Sequence, residues 1–319
     1  MSEVENSVDT VVRLLGKNMW IVKEDGSLAS ILVSKEWLDR ELFKNYDGQI
    51  TVGLAESLDT KIEMSGRLRR RLGALRVNVW SQDMLTRQKM VEEVNRIVRQ
   101  NRNKPNETLY YFAGVGRPTG THKAYSAGSA DELYPNHAGW NELSDLDYQK
   151  IWYSDDNRYS KSHNVNDEYA LMLFRFKIDS REKAVKKIVL AFEGYGTAPN
   201  GNGVTIKVWN HVANAWQNSA QGTGGTDETI TITLTSSLTD FIDNNGYVWL
   251  MARTTNPSDG STPAVIYSDF CSCTVTVNGI TYLDVVSFRD ADRVDVKPFI
   301  YRTEFTLKSW FFEDIGGIF

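Results

Sequence analysis

The spacing of apolar residues changes character twice along this chain. Near its start, Val8, Val11, Val12, Leu15 and Met19 recur at helical spacing and predict an amphipathic helix. Two apolar runs, 20–23 and 28–33, joined across Asp25-Gly26, read as a hairpin-like pair. Residues 35–46 read as a short helix, and Ile50, Val52 and Leu54 alternate as a strand over 49–56. Next, Leu75, Val77 and Val79 alternate with Arg76, Asn78 and Trp80, the pattern of a half-buried strand. Ser81 and Asp83 are placed to cap a helix whose apolar side is Met90, Val94, Ile97 and Val98, and Pro105 forbids its continuation.

Beyond Pro105 the helical period disappears. Glycine, proline and polar residues up to Trp140 read as an extended linker, assigned to 111–165. Six short strands with period-2 alternation follow. They carry Met172, Phe174, Phe176 and Ile178; Ile188, Leu190 and Phe192; Val204, Ile206 and Val208; Ile230, Ile232 and Leu234; Val248, Leu250 and Ala252; and a long run over 265–277. Dense turn signals at 194–203, 221–227 and 256–260 separate them, and only 238–242 reads as a helical turn. This predicts an antiparallel β-sandwich of jelly-roll type over 166–280. Two more strands then appear, the later one with Tyr301, Phe305, Leu307 and Phe311 on one side. An isolated strand is not stable, so this one needs a sheet, and the nearest is that of Leu75 to Trp80. The fold class expected is α+β. A small α/β sheet-and-helix domain, 1–110 plus 281–319, is interrupted by an inserted antiparallel β-sandwich.

The length of 319 residues suits about two domains, and 41% hydrophobic with 24% charged residues is an ordinary globular composition. No apolar run approaches the roughly 20 residues of a membrane-spanning helix. The start of the chain lacks the basic-then-apolar pattern of a secretory signal, so assembly in a cytoplasm without membrane contact is expected. Charge is uneven. The net value is −5, yet twelve basic residues face four acidic ones between Lys61 and Lys104, Arg67 and Glu63 among them. Such a patch attracts phosphate or an acidic neighbouring subunit. With no stacking aromatics interleaved, a solvated face or subunit contact is favoured over sequence-specific DNA binding.

Catalytic signatures are missing from the sequence. Gly114-Val115-Gly116-Arg117-Pro118-Thr119-Gly120 lacks the last small residue of a dinucleotide fingerprint and the Lys-Ser/Thr ending of a phosphate loop. No serine elbow and no marked carboxylate pair is present, and His122, His137, His163 and His211 lie in loop-like surroundings. Cys271 and Cys273, one residue apart on a strand, share a face and read as packing residues rather than a disulfide or zinc set. Asp227, Glu228, Asp240, Asp243 and Asp259 could hold calcium, but 240–246 misses the calcium-hand pattern at Phe241. No enzyme, cofactor or metal is expected. Tyr195, Trp209, Trp216, Tyr247 and Trp249, out of phase with the inward faces, are candidates for stacking on a glycan or a partner protein.

Arg76-Val77-Asn78-Val79-Trp80-Ser81, the helix after it with Met90, Val94 and Ile97, and the late strand Tyr301-Arg302-Thr303-Glu304-Phe305-Thr306-Leu307 resemble tail-completion and tail-terminator proteins of long-tailed phages and archaeal tailed viruses. The resemblance covers roughly 8–110 and 281–312; the family domain is compact, whereas about 170 residues intervene here. It implies a virion structural protein of the tail end or neck, a ring, usually a hexamer, that ends the tail tube and joins it to neck or connector proteins. The insert, which resembles jelly-roll and carbohydrate-binding-like modules, would project outward. A ring needs a closing heterologous interface, for which Arg69, Arg70, Arg71, Arg76, Trp80, Arg96 and Arg99 are the candidates. Passing double-stranded DNA would be touched without sequence specificity; arginines lining the lumen would hold it too strongly, which favours an intersubunit role for Arg69 to Arg71. The alternative is a glycan- or host-surface-binding module carried on a virion, with Tyr195, Trp209, Trp216 and Trp249 as the contact residues.

Overall fold

The structure, a computed structural model, describes residues 3–35, 37–62, 68–115, 121–292 and 299–314, with the side chains of 313 and 314 left out. Glu63, Arg67, Asp295 and the 116–120 part of the glycine-rich run lie outside the described residues. In chain order the elements begin with α1 (Ser7–Asn18), β1 (Ile31–Lys35), α2 (Arg40–Phe43), β2 (Gly48–Lys61), β3 (Leu68–Ser81) and α3 (Met84–Gln100). The next are β4 (Glu107–Tyr110), β5 (Lys123–Ser129), β6 (Asn141–Glu142), α4 (Asp145–Gln149), β7 (Tyr159–His163) and β8 (Tyr169–Lys177). Then come β9 (Val185–Thr197), β10 (Val204–Asn210), β11 (Ala215–Gln221), β12 (Glu228–Leu234), β13 (Tyr247–Thr254), β14 (Ala264–Val277), β15 (Tyr282–Asp290) and β16 (Tyr301–Asp314). The fold is α+β and mostly strand. Its contacts divide it into two compact units, Glu3–Glu107 with Asn278–Phe319, and Thr108–Val277.

The discontinuous unit is a five-stranded sheet in the order β1-β2-β3-β16-β15. β3 and β16 pair antiparallel over their whole described length, from Ser81↔Tyr301 to Leu68↔Asp314. The alternation read in the sequence explains the core. Leu75, Val77 and Val79 of β3 and Phe305 and Leu307 of β16 face Val11, Leu15, Met90, Val94 and Ile97 of the helices, all fully buried. Burying each such side chain contributes about 1.5–3 kcal/mol. Asn6 starts α1 by accepting a hydrogen bond from the Val8 amide, and Asp83 starts α3 by accepting from the Thr86 amide. Gly48 lets α3 approach, since a Cβ there would stand 2.5 Å from the Met90 sulfur. The expected hairpin over 20–33 is reduced to a single bridge, Val22↔Leu28. Ile31–Lys35 instead pairs parallel with β2, because Val33 finds its partner in the core-facing Ile50 rather than across the Asp25-Gly26 turn.

The second unit is a β-sandwich. One sheet runs β11-β10-β13-β8-β5-β6; the other runs β12-β9-β14-β4, with β7 added along β14. All six strands read from the alternation are present, and their inward residues, with Cys271 and Cys273, form one core. Both cysteines are free and buried. The assignment of 111–165 to an extended linker is corrected. This stretch supplies β5, β6, α4 and β7, and it buries Phe112, Leu143, Tyr148 and Ile151 in the sandwich core. β5 escapes a period-2 reading because Lys123-Ala124-Tyr125-Ser126-Ala127-Gly128-Ser129 lines the sheet with small residues. The Tyr148 hydroxyl accepts a hydrogen bond from the Ala124 amide at 2.9 Å, which ties α4 to β5.

Candidate functional site

On the six-stranded sheet, residues out of phase with the core form a second apolar layer: Leu171, Leu173, Trp209, Trp249 and Met251, with Tyr125, Trp140, Trp216 and Tyr247 packed against them. Part of the segment between β5 and β6 closes over this layer. Glu132 accepts from Lys207 Nζ at 2.6 Å and from Arg253 Nε at 3.1 Å, spanning two neighbouring strands. The Leu133 carbonyl accepts from Trp216 Nε1 at 3.1 Å, and Trp140 Nε1 donates to the Tyr134 carbonyl. These bonds fix 132–140 in place although its composition reads as loop.

Beside that cover a pocket of about 310 Å³ remains open. Trp209, Tyr247 and Trp249 line it with Arg175, and Tyr134, Pro135, Asn136, His211, Asn214, Asp243 and Asn245 complete the wall. The strand register builds its floor, since Trp249 stands opposite Arg175 on β8. The guanidinium carbon of Arg175 lies 4.3 Å from the Tyr247 ring centre and 5.6 Å from that of Trp249, cation–π geometry with both. Arg175 Nε and His211 Nε2 are buried without a hydrogen-bond partner among the described residues. Burial lowers the His211 pKa, only partly opposed by the Asp243 carboxylate and by a hydrogen bond to the Tyr247 backbone. Asp243 Oδ1 accepts from the Asn245 and Tyr247 amides, which holds the loop at the pocket mouth. A broader groove of about 690 Å³ shares Asp243, Asn245 and Tyr247. The lining offers ring faces, three side-chain amides, one imidazole, one carboxylate and one guanidinium.

The structure joins some of the expected contact residues and separates others. Trp209 and Trp249 both line the pocket but are only 7% and 5% exposed, so they are walls rather than open platforms. Trp216 packs edge-on to Trp209 and does not line the pocket. Tyr195 belongs to the other sheet, stacked on Tyr267 at 4.5 Å. Arg175, His211, Asn214 and the 134–136 segment were missed as site residues. Arg175 sits in an otherwise apolar strand, Met172 to Phe176, and that break was the available signal.

Acidic residues converge elsewhere in the sandwich. Asp156, Asp227 and Asp269 bring carboxylate oxygens within 4.8 Å of one another, and only Asp227 was singled out from the sequence. Arg158 already bridges Asp227 and Asp156, supplying the positive charge that the group requires. Burial, with the neighbouring carboxylates of Asp227 and Asp155 adding to it, raises the Asp269 pKa. Of the other acids considered for calcium, Asp259 accepts from the Ser261 and Thr262 amides as a turn-former, and Glu228 from the Gly224 amide.

In the discontinuous unit the expected interface residues do not form one patch. Trp80 is corrected. It is buried within the sheet's own layer, its Nε1 donating to Thr51 Oγ1 at 3.1 Å, Trp37 edge-on at 5.4 Å and Arg302 over its ring. Arg71 is held by Asp59 and lies over Phe311; Arg76 faces Glu304; Arg96 is held by Glu93 and Gln100. Arg70 and Arg99 are exposed, and Arg69 is half-buried. No helix among the described residues is long and apolar enough to cross a membrane.

Residues 120–277 match a family model described as "Uncharacterized protein, C-terminal domain", a match that lies within the sandwich unit. No curated protein matches the chain. Among solved structures, the xylan-binding module CBM15 is similar at 14% identity and a TM-score of 0.28, covering 54% of this chain and 98% of that one. A family 11 carbohydrate-binding module from Clostridium thermocellum, in complex with a mixed-linked tetrasaccharide, is 9% identical with a TM-score of 0.20, over 54% and 89%. The enzymatically active domain of tailspike protein 4 of bacteriophage CBA120 is 8% identical with a TM-score of 0.24 over 53% of this chain, which spans 19% of that one.

Proposed function

We propose that the protein is a binding protein whose sandwich takes a carbohydrate-class ligand in the pocket beside the 132–140 cover. The observation that carries the reading is the convergence of Trp209, Tyr247 and Trp249 with Arg175 and a ring of amides around one concavity. Sugar rings offer both C–H faces, which pack on aromatic rings, and hydroxyls, which pair with amides, carboxylates and guanidinium groups. The side-chain amides of Asn136, Asn214 and Asn245 and the Asp243 carboxylate, which line the pocket, are the groups a ligand hydroxyl would meet. A glycan array followed by calorimetry tests it. The wild type is expected to bind one glycan class, Tyr247→Ala and Asn214→Ala to lose at least tenfold, about 1.4 kcal/mol, and Tyr195→Ala to bind normally. Equal loss in Tyr195→Ala, or no binding to any glycan, sinks the reading.

A second reading concerns the discontinuous unit: a virion structural role as a ring, usually hexameric, at the tail end or neck, joining tail tube and connector and carrying the sandwich outward. It is supported by the full-length pairing of β3 with β16 and by α3 following β3, the arrangement that the resemblance to tail-terminator proteins calls for. Light scattering and electron microscopy of the purified protein, alone and with tail tubes, test it. A strict monomer that never enters particles overturns it.

A further inference from the structure

Cations on the outward face of the six-stranded sheet fall into two groups. Lys207 and Arg253 share Glu132, at 2.6 and 3.1 Å, and Lys123 is held by Glu142 at 2.9 Å. Arg175 and Lys177 on β8 differ, because neither has a carboxylate within ion-pair distance among the described residues. The Arg175 guanidinium makes one hydrogen bond among them, from Nη2 to the Thr121 carbonyl at a long 3.4 Å. The Lys177 ammonium also makes one, to the Asn245 carbonyl. Residues 116–120, which precede Thr121 and lie outside the described residues, contain no Asp or Glu and so supply no counter-charge.

Strand register puts both cations at the ligand pocket. Trp249 stands opposite Arg175, and Tyr247 opposite Lys177. Arg175 lines the pocket of about 310 Å³, Lys177 lines the groove of about 690 Å³, and Tyr247 belongs to both. Two positive charges therefore converge on one ring, the guanidinium carbon 4.3 Å and the ammonium nitrogen 5.3 Å from its centre. Cation–π contact orients them but neutralises neither, and like charges beside apolar walls repel more strongly than in open water. Asp243, the carboxylate that pocket and groove share, has its Oδ1 taken by the Asn245 and Tyr247 amides. We propose that the ligand of this pocket is an acidic glycan, whose carboxylate or sulfate is bound by Arg175 and Lys177 beside Tyr247. The inference rests on the carbohydrate reading of the pocket and narrows its ligand class. A guanidinium presents parallel N–H donors that match two oxygens of a carboxylate or sulfate, and Lys177 adds a point charge from the groove. Asn136 and Asn214 remain for the uncharged hydroxyls.

An array of matched glycans tests it, with calorimetry on those that bind: uronic acid oligosaccharides against their methyl esters, and sulfated oligosaccharides against their desulfated forms. The charged member of a pair is expected to bind at least about tenfold more tightly than its neutral partner, the effect of one charge-assisted hydrogen bond. Which pair shows the preference identifies carboxylate or sulfate. The advantage should shrink as sodium chloride rises from about 0.05 to 0.5 M, because screening weakens charges in contact with solvent. Lys177→Gln and Arg175→Gln should each bring the charged member's affinity toward that of the neutral one. Lys186→Gln, exposed on β9 of the other sheet, should leave it unchanged. Lys177 closes its strand and is only half-buried, so its variant decides the matter where Arg175→Gln does not fold. Equal binding of charged and neutral members overturns the acidic ligand and leaves the carbohydrate pocket standing. A preference undiminished in Lys177→Gln also overturns it, since the anion then sits elsewhere. Binding of neither kind overturns both readings.

Discussion

Phe305→Ala tests whether residues 3–107 and the chain after 278 form one cooperative structure. Phe305 lies on β16, fully buried, opposite Val77 of β3 and packed against Phe288 at 5.3 Å. Removing a buried phenylalanine costs about 3–5 kcal/mol. In a unit of about 150 residues each kcal/mol lowers the melting temperature by about 2–4 °C, so a fall of about 10 °C is expected. The control is Phe312→Ala on the same strand, 52% exposed, for which a change within about 0.5 kcal/mol is expected. Hydrogen exchange read peptide by peptide reports where stability is lost. Peptides from α3 and β3, some two hundred residues earlier in the chain than Phe305, should lose protection together with β16, while those from β8 to β14 keep theirs. If only 282–314 lose protection and α3 remains at its wild-type rate, the discontinuous unit is not cooperative and the reasoning fails.

Replacing Thr108–Val277 by a short Gly-Ser linker should leave the discontinuous unit folded with one cooperative melt; a molten or unfolded product would refute the insertion. Asp269→Asn should raise the sandwich melting temperature at pH 7. A carboxyl with a raised folded pKa contributes stability below the unfolded value of 3.8 and loses it as pH rises through the folded value, so the gain should vanish near pH 3. His211 has the opposite sign. Its folded pKa is depressed, the unfolded chain takes the proton first, and wild-type stability should fall as pH drops below 6.5. His211→Asn should flatten that slope in pH-dependent melts. Glu132→Gln weakens the bridge to Lys207 and Arg253, costing about 1–3 kcal/mol, and should speed exchange in 132–140 before the rest of the sandwich.

What the sequence determined was set by periodicity. Alternation placed the six sandwich strands and the strand at Leu75 to Trp80, and the 3.6-residue period placed the helix at Met90 to Val98, because each buries one face and that face repeats at a fixed interval. It also implied that the late strand needed an earlier sheet, since a lone strand cannot satisfy its backbone. Tertiary structure decided everything that depends on partners distant in sequence. Residues 111–165 have the composition of a linker, yet Tyr148 and Phe112 are drawn into the core, and Glu132 is pinned by two cations more than seventy residues away. Trp80, an attractive surface residue on its strand's polar side, is covered by Trp37 and Arg302, which no local pattern announces. The pocket has the same origin. Trp209, Tyr247 and Trp249 were visible as rings out of phase. Arg175, His211 and Asn214 joined them only when antiparallel pairing set β8, β10 and β13 side by side, because a cross-strand neighbour is fixed by register and not by sequence separation.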